Sequence, residues 1–281
     1  MQKLAFVDET FDLNFISEYH LSIQFSLDGL SFSILDGIQK KYVSLVHQPI
    51  ISNTPELSVK HLKDIINAED KLQVGYKSIQ ITYSTARGTL VPDQYSQNKY
   101  HQLIAEANFG ENTNEEVTSI RLKPFPDSFL FEVPTSLKTL INDKFPEALI
   151  THETIPLLWN VLSGKTENSQ LAILIRNTYF WLIYIENNRI KFLNSFAYQN
   201  DEDILYFLLN VVSQLGIDPE KTPLHSEGLI SKKAGIYHRF RQYIKHVQLG
   251  EATTDFQYSY LFNQLPDLRF VPLLNLQACA L

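Results

Sequence analysis

Strict alternation of apolar and polar residues, met twice about 150 residues apart, limits this chain more than any other feature. Leu21, Ile23, Phe25 and Leu27 alternate with Ser22, Gln24 and Ser26, and Leu30, Phe32 and Ile34 alternate with Ser31 and Ser33. A period of two belongs to strands with one buried face. Asp28-Gly29 between the runs signals a two-residue hairpin, because a type I′ turn needs positive φ at both central residues. That hairpin pairs Leu27 with Leu30, Phe25 with Phe32 and Ile23 with Ile34. A turn at Asp36-Gly37 then leads to a strand over 42–47, a helix bearing Leu57, His61, Leu62, Ile65 and Ile66, and a strand over 78–85.

The same order returns from Leu171. Residues 171–175 and 179–185 read as strands, Asn187-Asn188 as a tight turn, 190–196 as a third strand and 201–215 as a helix. Setting Asp28 against Asn177 and Asp36 against Glu186 costs one inserted residue, so an internal structural repeat is expected. Between the repeats the pattern gives helices over 98–108, 134–144 and 154–162 and strands over 117–122 and 128–133. After them it gives a short strand over 223–226, helices over 231–247 and 256–263, and an apolar strand over 269–274. The plan is α/β with mixed sheets in two lobes, residues 1–165 and 166–281, joined near the polar linker 163–170.

Composition narrows the function classes. A net charge of -7 argues against non-specific nucleic-acid binding. Cys279 is the only cysteine, which leaves no intrachain disulfide or cysteine-based zinc cluster and fits a reducing compartment. The opening MQKLAFVDETFDLNF puts acids where a signal peptide has its apolar run, and no segment nears a bilayer-spanning length, so a soluble, cytoplasmic protein without membrane insertion is expected. Glycine is scarce, 10 in 281, about half the usual 7%. No two glycines are adjacent or one residue apart, which excludes phosphate loops of the G-x-G-x-x-G kind.

Two such halves in tandem look like the duplicated ribonuclease-H-like lobes of the actin, sugar-kinase and heat-shock chaperone superfamily. More closely, LSIQFSLDGLSFSILD followed by KYVSLVHQPI, with TLVPDQYS later in the first half, resembles an uncharacterised bacterial family with an actin-like ATPase fold. The resemblance spans nearly the whole chain and carries no established activity. In active members of the wider superfamily the first hairpin supplies an Asp and a Gly around the nucleotide phosphates, and a second hairpin supplies an Asp-x-Gly-x-Gly-Thr turn. Carboxylates there hold the hydrated metal, and glycines let amides reach phosphate oxygens. Here Asp28 and Gly29 stand at the first turn but are adjacent, whereas the usual pattern separates them by a residue. The second turn reads Arg176, Asn177, Thr178 and Tyr179, with no acid and no glycine, and the adenosine-side loop matches Ser226-Glu227-Gly228-Leu229 with a single glycine.

Conventional hydrolysis of ATP is therefore not expected, since the metal-holding and backbone-donor parts of phosphoryl transfer are mostly missing. The expected function is a non-catalytic binding or scaffolding protein with an unidentified protein partner and no cofactor. The alternative is a divergent nucleotide-binding protein taking ATP with magnesium through Asp28, Gly29, Arg176, Asn177 and Gly228. A third reading is a structural homo-oligomer paired through the polar face Ser22, Gln24, Ser26, Ser31 and Ser33, whose plainer reading is a solvent-facing sheet.

Other motifs reduce to structure. Gly164-Lys165-Thr166 lacks the first glycine of a P-loop, with Trp159 in its place, and precedes a strand, so it reads as linker. His47, His61, His152 and His225 are far apart and form no metal motif. In the basic stretch Lys232 to His246, the helical spacing of Tyr237, Phe240, Ile244 and Val247 reads as a core-facing stripe with a solvated charged back.

Overall fold

The computed structural model describes residues 3–26, 29–50, 55–163 and 168–280. Leu27, Asp28 and the Gly164-Lys165-Thr166 stretch lie outside the described residues. In chain order, β1 (Leu4–Val7), β2 (Tyr19–Ser26), β3 (Gly29–Asp36) and β4 (Lys41–Pro49) lead through α1 (Pro55–Ala68) to β5 (Ser78–Tyr83). Then come β6 (Gly88–Val91), α2 (Asn98–Phe109), β7 (Glu115–Arg121), β8 (Ser128–Pro134), α3 (Thr135–Lys144), β9 (Leu149–His152) and α4 (Thr154–Ser163). The second half holds β10 (Ser169–Ile175), β11 (Tyr179–Glu186), β12 (Arg189–Ala197), α5 (Asp201–Gln214), β13 (Leu224–Gly228), α6 (Gly235–Tyr243) and β14 (Val247–Leu249). The chain finishes with β15 (Gln257–Tyr258) and α7 (Val271–Asn275).

Strand pairing establishes the repeat. One sheet runs β1-β4-β3-β2-β5-β9 and the other β12-β11-β10-β13-β14. Apart from β1 the two are laid out alike: an antiparallel meander whose first strand, β2 or β10, pairs in parallel with the strand after the crossover helix. Even the irregularities correspond, since the bulge at Ile34/Leu35 and the bulge at Tyr184/Ile185 interrupt the same strand pair in each sheet. The Asn187-Asn188 turn has positive φ at both residues, as the second hairpin requires. A three-stranded sheet, β6-β8-β7, is inserted between β5 and β9.

The first hairpin is offset from its expected register. Ile23 pairs with Phe32, Phe25 with Leu30 and Ser26 with Gly29, so Leu27 and Asp28, not Asp28 and Gly29, lie between the paired residues. Moving each partner by two positions keeps every side chain on its face, so alternation alone does not distinguish the two registers. Gly29 is instead a strand residue opposite Pro49, where a Cβ would come within 2.7 Å of the Gln48 carbonyl oxygen.

Most of the polar face of that hairpin is covered from within the chain, with Ser26 at its end only half-buried. Ser22 and Ser33 have no exposure, Gln24 and Ser31 are buried, and α7 packs across β2 and β3. Gln277 Nε2 donates to Ser22 Oγ at 2.9 Å and to the Leu21 carbonyl at 3.2 Å, while Ser31 bonds His47 Nδ1 at 2.8 Å. Ser22 and Ser33 are therefore covered by the chain itself, where the plainer reading had a solvent-facing sheet. The tail from Gln257, expected with the second lobe, lies on the first sheet: β15 pairs with β4, and Phe270, Leu273 and Leu274 pack on Leu35, Tyr42 and Leu45.

That tail also departs in secondary structure. The run expected as a strand over 269–274 forms α7, with Pro272 early in the helix, where its missing N–H leaves no bond unmade. A short, fully buried apolar run carries no period with which to tell strand from helix. The helix expected over 256–263 is β15 followed by a 3₁₀ turn over Tyr260–Gln264. Further upstream, the helix expected over 231–247 covers only Gly235–Tyr243, and Val247 begins β14. Its basic residues are drawn to nearby acids, Arg239 to Glu202 at 2.7 Å and Lys245 to Glu220 at 3.1 Å.

One apolar core runs through both sheets. Ala172, Leu174, Trp181, Ile183 and Ile185 of the second sheet belong to the same cluster as Ile23, Phe32 and Phe129 of the first half. Phe180, Leu182 and Ile173 point the other way, onto α5 and α6. Both faces of the second sheet are thus covered, which is why β10 and β11 are apolar almost throughout. No helix among the described residues is long and apolar enough to cross a membrane.

Candidate functional site between the two sheets

The cleft follows from the repeat, because the turn-bearing ends of the two hairpins face one another across the seam. A cavity of about 610 Å³ lies there. Gln24, Ser26, Ser31 and His47 come from the first sheet, residues 84–87 from the segment after β5, residues 176–179 from the second hairpin, and Arg269 and Phe270 from the tail.

Three arginines border this space, and each has an acid beside it. Arg176 Nε donates to Glu153 Oε2 at 2.7 Å, Arg87 Nε to Glu132 Oε2 at 2.5 Å, and Arg269 to Asp267 at 2.5 Å. Glu153 has no solvent exposure and accepts a second bond, from Tyr179 OH, at 2.6 Å. Arg176 also donates through Nη1 to the Arg269 carbonyl at 3.2 Å, tying hairpin to tail. Cationic charge in the cleft is thus largely matched from within.

Aromatic rings fill the neighbouring seam. Trp181 is fully buried, its Nε1 donates to the Thr85 carbonyl at 3.2 Å, and its ring meets Phe129 and His152 edge-on at 5.6 and 5.2 Å. His152 Nε2 donates to that same carbonyl at 3.1 Å while Nδ1 accepts from Thr154 N–H, which fixes the neutral tautomer. Burial pushes its pKa down to about 4, against the opposing pull of the Glu153 carboxylate. Ser195 Oγ donates to the Ala86 carbonyl at 2.7 Å, adding one more bond across the seam.

The expected site residues fall as follows. Arg176 and Asn177 line the cavity, Asn177 on the exposed turn. Gly29 sits at the start of β3 and Asp28 lies outside the described residues. Gly228, at φ 91°, lets the end of β13 approach β10 so closely that a Cβ would stand 2.1 Å from the Ile175 carbonyl oxygen. Its N–H donates to the Leu268 carbonyl at 3.3 Å, so that amide is engaged by the tail. Next to it, buried Glu227 accepts from Asn160 at 2.6 Å and His225 at 2.9 Å.

Glu153, Arg87 and Arg269 escaped the sequence reading, and Gln24 was read only as part of the polar strand face. The first three come from distant segments, and no local motif marks them. Gln24 Nε2 donates to Ser84 Oγ at 3.0 Å, whereas its buried Oε1 has no hydrogen-bond partner among the described residues. Cys279 is no nucleophile in waiting: burial, helped by Glu227, pushes its thiol up to about 12. No group of three or more metal-ligating side chains occurs among the described residues.

Comparison with known proteins agrees with this architecture. A Bacteroides thetaiotaomicron protein described as having an actin-like ATPase fold and unknown function is 26% identical. The match covers 85% of this chain and 93% of that one at a TM-score of 0.77. The PilM-PilN type IV pilus biogenesis complex matches over 92% of this chain and 97% of that one, at 9% identity and a TM-score of 0.60. EutJ, the ethanolamine utilization protein of Carboxydothermus hydrogenoformans, matches over 92% and 88%, at 9% identity and 0.52. No curated protein sequence matches the chain. Residues 8–247 match the model of the DUF3822 family of proteins of unknown function. With two ribonuclease-H-like lobes around a central cleft, the chain has the actin-like ATPase fold and belongs to the DUF3822 family.

Proposed function

We propose that this protein is a non-catalytic member of the actin-like fold, a binding or scaffolding module whose phosphate-binding turns are degenerate. The observation that carries this reading is the engagement of Arg176 by buried Glu153 at the second turn, where an active member would present an acid and bare amides. One further feature supports it: the Gly228 amide is already bonded to the Leu268 carbonyl. PilM is found in complex with PilN, so this fold serves protein assembly elsewhere, and a protein partner is the class proposed here. The proposal extends to a reducing, cytoplasmic compartment, on the single cysteine, and to a bacterial source, on the likeness to the Bacteroides thetaiotaomicron protein.

The competing reading, ATP with magnesium held by Asp28, Gly29, Arg176, Asn177 and Gly228, is favoured by one observation, a cavity of about 610 Å³, large enough for a small ligand. Calorimetric titration of the full chain with ATP and magnesium separates the two. No heat of binding is expected; micromolar binding abolished by Asp28→Ala overturns the proposal.

A further inference from the structure

A second cavity, of about 1310 Å³, lies away from the cleft, between the first sheet and the inserted sheet. Both sheets end here. Among the described residues, β9 is the last strand of its sheet and pairs only with β5, and β7 is the last of the inserted sheet and pairs only with β8. Residues of both terminal strands line the space. A terminal strand presents backbone donors and acceptors with no neighbour to take them, which natural proteins usually cover or blunt. Here the uncovered strand carries Leu149, 81% exposed, with no Lys or Pro within it.

The walls are apolar. Ile155, Leu158, Trp159 and Leu162 recur at the spacing of one face of α4 and line the cavity together with Phe145. The volume exceeds the roughly 300–1,000 Å³ usual for small-molecule pockets. Its rim is cationic in an acidic chain: Lys77, Arg121, Lys123 and Lys144 stand against one carboxylate, Glu147, while the chain as a whole carries -7. Lys77 and Arg121 spend their charge on exposed, weak pairs with Glu18 and Asp93. Lys123 and Lys144 have no carboxylate partner among the described residues.

We infer that this groove takes an extended segment of a partner protein in which acidic residues alternate with apolar ones, added as a strand beside β9. Apolar side chains on one face of such a strand enter the groove, carboxylates on the other reach Lys123 and Lys144, and the backbone continues the sheet. The inference rests on the binding-module reading and gives it a surface and a ligand chemistry. It is independent of the cleft, so nucleotide binding there and peptide binding here succeed or fail separately.

The test uses the full chain and fluorescein-labelled octapeptides read by fluorescence anisotropy. One alternates Asp with Val and Leu, a second has Lys for every Asp, and a third is the acidic peptide with alternate amides N-methylated. The acidic peptide is expected to bind, and the other two at least about tenfold more weakly. The double variant Lys123→Glu with Lys144→Glu, checked for native circular dichroism, is expected to weaken the acidic peptide by about tenfold as well. Equal binding of the lysine peptide, indifference to N-methylation, or no binding of the acidic peptide at millimolar concentration overturns the inference. So does a dimer dispersed by Leu149→Asp, which assigns the groove to a second copy, or binding of phosphatidylglycerol vesicles lost in the lysine variants, which assigns it to lipid.

Discussion

Arg176 and Glu153, 23 residues apart in the chain, meet at 2.7 Å with the carboxylate wholly buried. The pair joins the second hairpin to the junction of β9 and α4, and Tyr179 OH donates to the other carboxylate oxygen.

Arg176→Met leaves the Glu153 carboxylate buried without its cation, and breaking such a pair costs about 3–5 kcal/mol. Removing both charges, as Arg176→Met with Glu153→Leu, is expected to cost clearly less than the single change. Urea unfolding of the three proteins checks the order.

Trp181 is the largest side chain on the seam, fully buried and shared by the cores of both lobes. Trp181→Ala is expected to lose about 3–5 kcal/mol through the cavity left behind. Trp181→Phe keeps most of the packing and gives up the bond to Thr85, about 1 kcal/mol. Because the continuous core passes through this ring, calorimetry of the alanine variant should split one unfolding transition into two.

His152 gives stability a dependence on pH. Its folded pKa of about 4 lies below the ordinary 6.5, so above about pH 6.5 it is neutral folded or unfolded and costs nothing. As pH falls, the unfolded chain takes up a proton that the fold refuses, and stability declines until about pH 4, by about 3 kcal/mol in all. His152→Gln should flatten that part of the profile, seen as a smaller difference in urea midpoint between about pH 7 and pH 4 than in the parent.

Gly228→Ala puts a methyl group against the Ile175 carbonyl, in a backbone conformation that L residues avoid. A loss of at least about 2 kcal/mol, or failure to fold, is expected. Gly216→Ala, at positive φ with open space around it, isolates the conformational part and should cost only about 1 kcal/mol. Thermal melts of the two side by side measure the difference.

What the chain declares locally was legible without coordinates. Alternation at Leu21–Phe25 and Leu30–Ile34, the turn at Asn187-Asn188 and the helical faces of α1 and α5 each rest on a period of a few residues, and their recurrence gave the two-lobed plan. The missing acid and glycine around Arg176 were equally plain, since a phosphate turn is itself a local motif. Tertiary structure alone decided the rest. The register of the first hairpin, Ser26 opposite Gly29, is not set by alternation, which a shift of two residues leaves unchanged. The polar face of β2 and β3 found its cover in Gln277 and α7, more than two hundred residues away, and Glu153 found Arg176 across the seam. A buried serine or carboxylate reads the same in sequence as a solvated one, because the partner that satisfies it comes from wherever the fold brings the chain back.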